Sequence, residues 1–381
     1  MCNFNYPTVL NLQGVSFLHI LSVVGARPNF MKIAPIAWEA ARRDNIKHTI
    51  VHTGQHYDQA MSHSFFDILN IPKPDVNLGI GSASHGVQTG KIMQEFEPII
   101  KELNPDWLIV VGDVNSTIAA SLVAIKMGIK TAHVEAGLRS CDRTMPEEIN
   151  RLATDAISDL LLVTEQSGLD NLKNEGVPDS KVVFTGNVMI DTLVHNLTAA
   201  KKVNAAAKFG LTSREYILVT MHRPGNVDDP EKLEELTQTL IDIASQCPVF
   251  FPVHPRTRNR LEDIGLWDKL SSADGMHIDT PQDYLTFISL ANTAKAVLTD
   301  SGGIQEETTY MGVPCLTMRP NTERPSTIDL GTNELIQPNR KEILEATSRL
   351  LSGNWKKGTV PPLWDGNAAS RVLDALENHD K

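Results

Sequence analysis

Asp300-Ser-Gly-Gly-Ile-Gln-Glu-Glu307 decides the fold, read with the apolar run Ala296-Val-Leu-Thr299 in front of it. A short apolar run bounded by turn residues predicts a buried parallel strand, and Glu306 to Met311 predicts a helix closed by Gly312. A strand that turns through Ser-Gly-Gly into a helix leaves backbone N–H groups pointing at open space. Those amides and the helix dipole favour an anion at Ser301, Gly302 and Gly303. The two glycines let a bulky ligand approach the main chain, and Glu307, one turn on, is suited to accept hydrogen bonds from paired hydroxyls such as those of a ribose. The combination points to a nucleotide diphosphate. An ordinary N-capped helix is the plainer reading of Ser-Gly-Gly taken alone.

Outward from this stretch the same strand-then-helix rhythm fills the chain. It begins at His19-Ile-Leu-Ser-Val-Val24, continues through Lys47 to Val51, Trp107 to Val111, Thr131 to Val134, Leu160 to Val163 and Val182 to Phe184, and has helices between, as at His85 to Leu103. Asn187 to Ser213 interrupts it with a helix and a polar, Ala- and Lys-rich connection. The rhythm restarts at Tyr216 and runs through Val249 to Val253, Met276 to Ile278, Ala296 to Thr299 and Cys315 to Met318. Such alternation predicts parallel sheets covered by helices on both faces. The expected fold is therefore α/β, with two doubly wound Rossmann-like domains, residues 19–198 and 214–365, facing a cleft, and with 366–381 as a terminal helix that crosses back onto the first domain. Ligands of open α/β sheets bind beyond the carboxyl ends of the strands.

Composition narrows the function. A chain of 381 residues with 41% hydrophobic and 21% charged residues is that of a globular enzyme, and its formal net charge of −11 lacks the basic footprint of a nucleic-acid binder. No apolar stretch approaches a membrane span. Cys2, Cys141, Cys247 and Cys315 are scattered without a Cys-x-x-Cys pair, which fits free thiols in a reducing compartment. The first eighteen residues lack a basic flank and a clear cleavage site, and read as an extension or a misassigned start rather than a signal peptide.

Polar clusters recur where strands end. The first strand runs into Gly25-Ala-Arg-Pro-Asn29, with Lys32 a turn later. The Gly-x-Gly-x-x-Gly of a dinucleotide site is missing there, which disfavours an NAD enzyme. Later strands end in Gly112-Asp113 and Glu135-Ala-Gly137, and Glu147 and Glu148 open a helix after Pro146. Helix-dipole pairing accounts for Glu147 and Glu148 taken alone, but not for Asp113 and Glu135. Carboxylates that converge raise one another's pKa, as general acids and bases require. In the second domain, Thr220-Met-His-Arg-Pro224 and Val253-His-Pro-Arg256 each set a histidine beside an arginine, suited to phosphate contact and proton transfer. Zinc is the rival use of these histidines, yet Gly54 between His52 and His56 breaks a helical pair and no third ligand is near. Arg324 reads as a ligand-binding or a surface ion-pair arginine.

The ordered set Gly25-Ala-Arg-Pro with Lys32, Thr53-Gly-Gln-His56, Gly112-Asp113, His133-Val-Glu-Ala-Gly-Leu-Arg139, Pro146-Glu-Glu-Ile-Asn-Arg151, His222-Arg223, Asp300 to Glu307 and Thr322-Glu-Arg-Pro325 resembles the non-hydrolysing UDP-N-acetylglucosamine 2-epimerases from about His19 to Arg324. The resemblance implies a fold of the glycosyltransferase B type and a cytoplasmic homodimer that supplies aminosugars for surface polysaccharide. It also implies interconversion of UDP-N-acetylglucosamine and UDP-N-acetylmannosamine, by elimination of UDP to 2-acetamidoglucal and re-addition, with no redox cofactor and no metal. Acid and base work then falls to Asp113, Glu135 and Glu147, with His222 assisting at the phosphate. Arg27, Lys32, Arg223, His254, Ser301, Gly302, Gly303, Glu307 and Arg324 bind the UDP-sugar. The short segment Ser140 to Met145 belongs to a variant branch that includes epimerases of 2,3-diacetamido uronic acids. Tyr57 and Asp58 stand where the family's allosteric contacts have a basic residue. A hydrolysing epimerase, a glycosyltransferase of the same fold and a nucleotide-sugar sensor are the alternatives, and three acidic positions at strand and helix ends weigh against the last two.

Overall fold

The computed structural model describes residues 17–54 and 71–379, with the side chain of Arg27 outside the description. These residues divide into two compact units, one within Met1–Thr192 and Asp365–Lys381 and the other Leu193–Trp364. The apolar stretch before Phe17, and Gln55, His56, Tyr57 and Asp58, lie outside the described residues.

The first unit is built on a parallel sheet of β1 (Leu18–Val24), β2 (Ile46–His52), β3 (Val76–Asn77), β4 (Trp107–Val111), β5 (Lys130–Ala136), β6 (Leu160–Val163) and β7 (Val182–Phe184). Among the described residues the order is β3-β2-β1-β4-β5-β6-β7. The strands are short and apolar because both faces are covered. Leu21, Val23, Leu108 and Val110 pack under the helices His85–Leu103 and Asn115–Lys126, against Phe96, Ile100 and Val123.

The order reverses between β1 and β4, which pair from Ile20 with Trp107 to Val23 with Val110. Here the two neighbouring strands send their following helices to opposite faces, so their ends diverge and leave a crevice. Asn29, in the first turn of the helix Arg27–Ala40, spans it: Oδ1 accepts the N–H of Ala26 at 2.9 Å, and Nδ2 donates to the carbonyl of Val111 at 3.1 Å.

The same helix is braced from behind by the terminal helix Ala368–Asn378, whose Ala369, Val372, Leu373 and Leu376 form one buried stripe. Asp191 caps that helix, its two oxygens accepting the N–H groups of Ala368 at 3.1 Å and Ala369 at 2.7 Å. Arg43 adds ion pairs to Asp374 at 2.8 Å and Glu377 at 2.5 Å.

The second unit repeats the plan with β8 (Ile217–Thr220), β9 (Val249–Pro252), β10 (Met276–Asp279), β11 (Ala296–Thr299), β12 (Cys315–Met318) and β13 (Asn333–Ile336), in the order β10-β9-β8-β11-β12-β13. Alternate residues feed the two faces. Ile217, Val219, Leu298 and Leu316 join Leu236, Leu240, Ile343 and Leu350 on one side, while Leu218, Phe250 and Val297 join Leu290, Ala291 and Val313 on the other. The reversal falls between β8 and β11, in register from Ile217 with Ala296 to Thr220 with Thr299.

Candidate functional site

In the first unit the candidate residues gather at the β1/β4/β5 strand ends. β5 runs two residues beyond its expected end, and its pairing with β6 slips between Val134 and Ala136. The slip is a bulge at Glu135, which takes φ +72°, a left-handed conformation uncommon for a side chain of this size. A buried carboxylate held in such a conformation marks a position where the surrounding structure overrides local preference. Glu135 is aimed at Lys32 on the helix Arg27–Ala40, and the two form a buried ion pair through Oε2.

The pair lies against Gly112. A Cβ on Gly112 would stand 3.0 Å from Lys32 Nζ and 3.1 Å from Glu135 Oε2, and its φ of +65° suits glycine. Asp113 follows, half-buried, with its carboxylate 2.5 Å from Arg151 Nη2 and its carbonyl accepting Asn150 Nδ2 at 2.8 Å. Arg151 also donates to Glu148 at 2.8 Å. Glu148 in turn accepts the N–H groups of Ser140 at 2.9 Å and Cys141 at 3.0 Å. Burial pushes the Glu148 carboxyl upward, but these backbone donors and Arg151 hold it below the usual carboxylate range. Glu147, half-buried, precedes Arg151 by one helical turn and therefore shares its side of the helix Pro146–Ile157.

The two strand-end carboxylates each meet a cation of their own, Lys32 for Glu135 and Arg151 for Asp113. Arg27 opens the helix beside them.

In the second unit the helix expected to bind an anion starts earlier than the sequence pattern predicts. It runs Gly302–Met311 and is closed by Gly312 at φ +67°. Gly302 and Gly303 thus lie inside its first turn. Ser301 is the N-cap but its side chain makes no capping bond, so the first-turn N–H groups keep their capacity for a ligand. Gly302 is small for another reason than ligand approach alone: a Cβ there would meet Arg324 Nη1 at 3.1 Å. Arg324 is buried, paired with Glu306 at 2.9 Å and Glu323 at 2.5 Å, which removes the surface ion-pair reading.

Asp300 organises the turn that follows β8. Fully buried, it accepts the N–H groups of His222 at 2.9 Å and Arg223 at 2.8 Å through Oδ2, while its Oδ1 lies 3.0 Å from His222 Nδ1. Burial pushes Asp300 upward, but His222 and the two backbone donors hold it below the usual range. Asn226 ties Asp300 to the carbonyl of Met318. Burial and the nearby Arg319 pull the Arg223 guanidinium below its usual value, with Arg324 adding to the crowding. An incoming anion would relieve that repulsion.

His254 caps the helix Pro255–Asp263, its Nδ1 accepting the N–H of Arg256 at 3.1 Å, and its ring lies 5.5 Å from that of His222. Burial, His222 and Arg256 keep it below the usual histidine value. Arg256 itself is forked onto Asp228. Glu307 is buried and accepts the Tyr284 hydroxyl at 2.9 Å. Desolvation pushes its carboxyl up to about 8, against the Tyr284 bond and with help from Glu306. Among the described residues no three His, Cys, Asp or Glu groups are arranged to hold a metal ion, and His52 is spent on the carbonyl of Gly25. No described helix is long and apolar enough to cross a membrane.

The model of a known family, UDP-N-acetylglucosamine 2-epimerase, matches residues 39–377. The chain belongs to this family. A UDP-N-acetylglucosamine 2-epimerase homolog of Methanococcus maripaludis is 43% identical to it, covering 95% of this chain and 100% of the relative. The UDP-2,3-diacetamido-2,3-dideoxy-D-glucuronate 2-epimerase of Pseudomonas aeruginosa is 40% identical, covering 94% and 99%. Among solved structures, the Methanocaldococcus jannaschii UDP-GlcNAc 2-epimerase in complex with UDP-GlcNAc and UDP superposes with a TM-score of 0.85 at 40% identity, over 94% of this chain and 99% of that one. This member of the family is thus an epimerase of the isomerase class, with the two Rossmann-like domains of the glycosyltransferase B type.

Sequence reasoning missed Tyr284 and Arg319, and treated Asp300 and Glu323 only as parts of motifs. Asp300 alone carried a signal, since a carboxylate that ends an apolar strand must find donors.

Proposed function

We propose that the protein interconverts UDP-N-acetylglucosamine and UDP-N-acetylmannosamine. The observation that carries the reading is the Glu135 bulge, which holds a buried carboxylate against Lys32 beside the Asp113–Arg151 pair. A base takes the proton from carbon 2, the C–H electron pair becomes the C1=C2 bond of 2-acetamidoglucal, and the C1–O bond breaks with its electrons leaving on UDP. Re-protonation from the other face with return of UDP gives the epimer. That sequence needs acid/base groups near the sugar ring, here Asp113, Glu135 and Glu147, and a site that stabilises charge on the departing diphosphate.

The second unit supplies the latter: the open first turn at Ser301, Gly302 and Gly303, with Arg223, Arg324 and His222, and Glu307 for the ribose hydroxyls. Arg27, Lys32 and His254 complete the binding set. Charged hydrogen bonds from arginine and helix N–H groups to a diphosphate are about twice as strong as neutral ones. A homodimer in the cytoplasm is part of the same reading.

A second reading, epimerisation of a UDP-2,3-diacetamido uronic acid, is favoured by the 40% identity to the Pseudomonas aeruginosa enzyme. Proton NMR in deuterated water separates the two. With UDP-N-acetylglucosamine, deuterium at carbon 2 in a mixture of both UDP-sugars is the expected result. Free N-acetylmannosamine with UDP would make the enzyme hydrolysing. No exchange there, with exchange on UDP-2,3-diacetamido-2,3-dideoxyglucuronate, would select the second reading.

A further inference from the structure

His133 lies within β5, fully buried, with both ring nitrogens engaged. Nδ1 is 2.6 Å from Asp155 Oδ1, and Nε2 is 2.8 Å from the carbonyl oxygen of Gly112. A carbonyl oxygen only accepts, so Nε2 carries a hydrogen. Burial pushes the Asp155 carboxyl upward, but His133 and Arg139 hold it below the usual range, so it too is an acceptor and Nδ1 donates. The second oxygen of Asp155 accepts the N–H of Gly137 at 3.0 Å and Arg139 Nη1 at 2.7 Å. Arg139 is forked in turn onto Glu175 at 2.8 and 2.7 Å. The buried part of this network, His133, Asp155 and Arg139, rigidifies the backbone it touches.

The carbonyl it touches belongs to the peptide that joins Gly112 to Asp113. Asp113 is therefore tethered at its leading peptide by His133, at its own carbonyl by Asn150 and at its side chain by Arg151. Asn150, Arg151 and Asp155 all belong to the helix Pro146–Ile157, which also carries Glu147. His133 joins both the end of β4 and the middle of β5 to that helix.

We propose that His133 is a positioning residue of the epimerisation, acting through the Gly112 carbonyl to fix the peptide before Asp113 and with it the approach of the Asp113 carboxylate. The inference rests on Asp113 being an acid/base group, as argued above. The ring itself is sealed from solvent and acts only through other groups.

Two amides divide its bonds. The amide nitrogen of Asn falls near ring Nδ1 and that of Gln near ring Nε2. His133→Asn thus keeps a donor for Asp155 and loses the Gly112 tether, and His133→Gln does the reverse. With UDP-N-acetylglucosamine as substrate, His133→Asn is expected to lower kcat about 100-fold with KM little changed, the effect of a small misplacement of a reacting group. His133→Gln retains most of kcat, and both variants keep the wild-type Kd for UDP. Asp155→Asn, of equal volume, is the second variant should His133→Asn not fold. It is expected to lower kcat about 10-fold, as loss of an outer anchor does.

Unchanged kcat in His133→Asn or Asp155→Asn overturns the proposal. So does an equal fall of kcat in His133→Asn and His133→Gln that tracks falling Tm and UDP binding, since that is the pattern of a purely structural histidine. Asp113→Asn separates the two layers. If it is as active as the wild type, the Asp113 reading falls and the role of His133 with it. If it is inactive while His133→Asn is fully active, the His133 proposal alone is overturned.

Discussion

Arg151 holds two carboxylates at once, with Nη2 2.5 Å from Asp113 Oδ2 and Nη1 2.8 Å from Glu148 Oε2. Glu148 fastens the turn after Arg139 through the N–H groups of Ser140 and Cys141, so a change in that turn reaches Asp113 through two side chains. Lysine keeps the charge but presents no planar fork, and it holds one of the two partners at a time. Arg151→Lys is expected to lose about 10- to 100-fold in the rate of deuterium entry at carbon 2 while still folding. Arg151→Ala, which leaves buried Glu148 with only its backbone donors, is expected to lose about 3 kcal/mol of stability by urea unfolding. A lysine variant with wild-type exchange would remove Arg151 from the account of Asp113.

With Glu307 holding the ribose as proposed, nucleotide binding is linked to proton release. The Glu307 carboxyl is raised to about 8 by desolvation, so near pH 7 it is largely protonated before ligand arrives. Paired ribose hydroxyls that donate to both of its oxygens favour the carboxylate, and binding then expels the proton. Titration calorimetry with UDP in buffers of different ionisation enthalpy should show net proton release at pH 7, fading above pH 8 and absent in Glu307→Gln. The free protein carries the matching sign. The unfolded carboxyl ionises near 4.5 and the folded one near 8, so this group's contribution to stability is full below 4.5 and is lost as pH rises toward 8. Glu307→Gln should flatten that decline, and equal slopes in the two proteins would exclude the linkage.

The same residues show what a linear pattern can and cannot reveal. Both sheets were legible, since a buried parallel strand must be a short apolar run and its helix must follow. Ser301, His222 and Glu135 were legible as polar residues at strand ends. The pairings were not, because Lys32 meets Glu135 across 103 positions, His222 meets Asp300 across 78, and Arg324 meets Glu306 only once the chain has returned past Gly302. The bulge at Glu135 also left no mark in the sequence. An uninterrupted strand would set Glu135 on the same face as His133, and only the slipped register turns it toward Lys32. The start of the helix at Gly302 was missed because two glycines argue against helix interior and say nothing about its first turn.

His48 predicts the acid limit of the first unit. It bonds Ser22 Oγ through Nε2 at 2.8 Å between β1 and β2, and burial pushes it down to about 4, with Asp75 opposing and His19 adding to the fall. The unfolded ring titrates near 6.5, so between that value and about 4 the unfolded chain binds the extra proton and stability drops as pH falls. The contribution present above 6.5 is on the order of 3 kcal/mol and is gone below 4. His48→Gln, which can still reach Ser22, should lose less Tm between pH 7 and pH 4.5 than the wild type. A parallel decline would assign the acid sensitivity to other groups.

Substitutions at two glycines test the proposed acid/base groups and the proposed anion site one at a time. Gly112→Ala puts a methyl 3.0 Å from Lys32 Nζ and 3.1 Å from Glu135 Oε2, at a φ of +65° that adds about 1 kcal/mol of backbone strain. The Lys32–Glu135 pair must shift, so the rate of carbon 2 exchange should fall about 100-fold while the Kd for UDP, which lacks the sugar that Lys32 is proposed to hold, stays near the wild type. Gly302→Ala puts its methyl 3.1 Å from Arg324 Nη1 and 3.4 Å from Glu323 Oε1. The guanidinium beside the first turn of Gly302–Met311 is displaced, and UDP should bind about tenfold more weakly, a loss near 1.4 kcal/mol. Calorimetry with UDP and NMR exchange on both variants read the two effects separately. If Gly112→Ala weakened UDP binding and left exchange intact, Lys32 and Glu135 would belong with the nucleotide rather than with the proton at carbon 2.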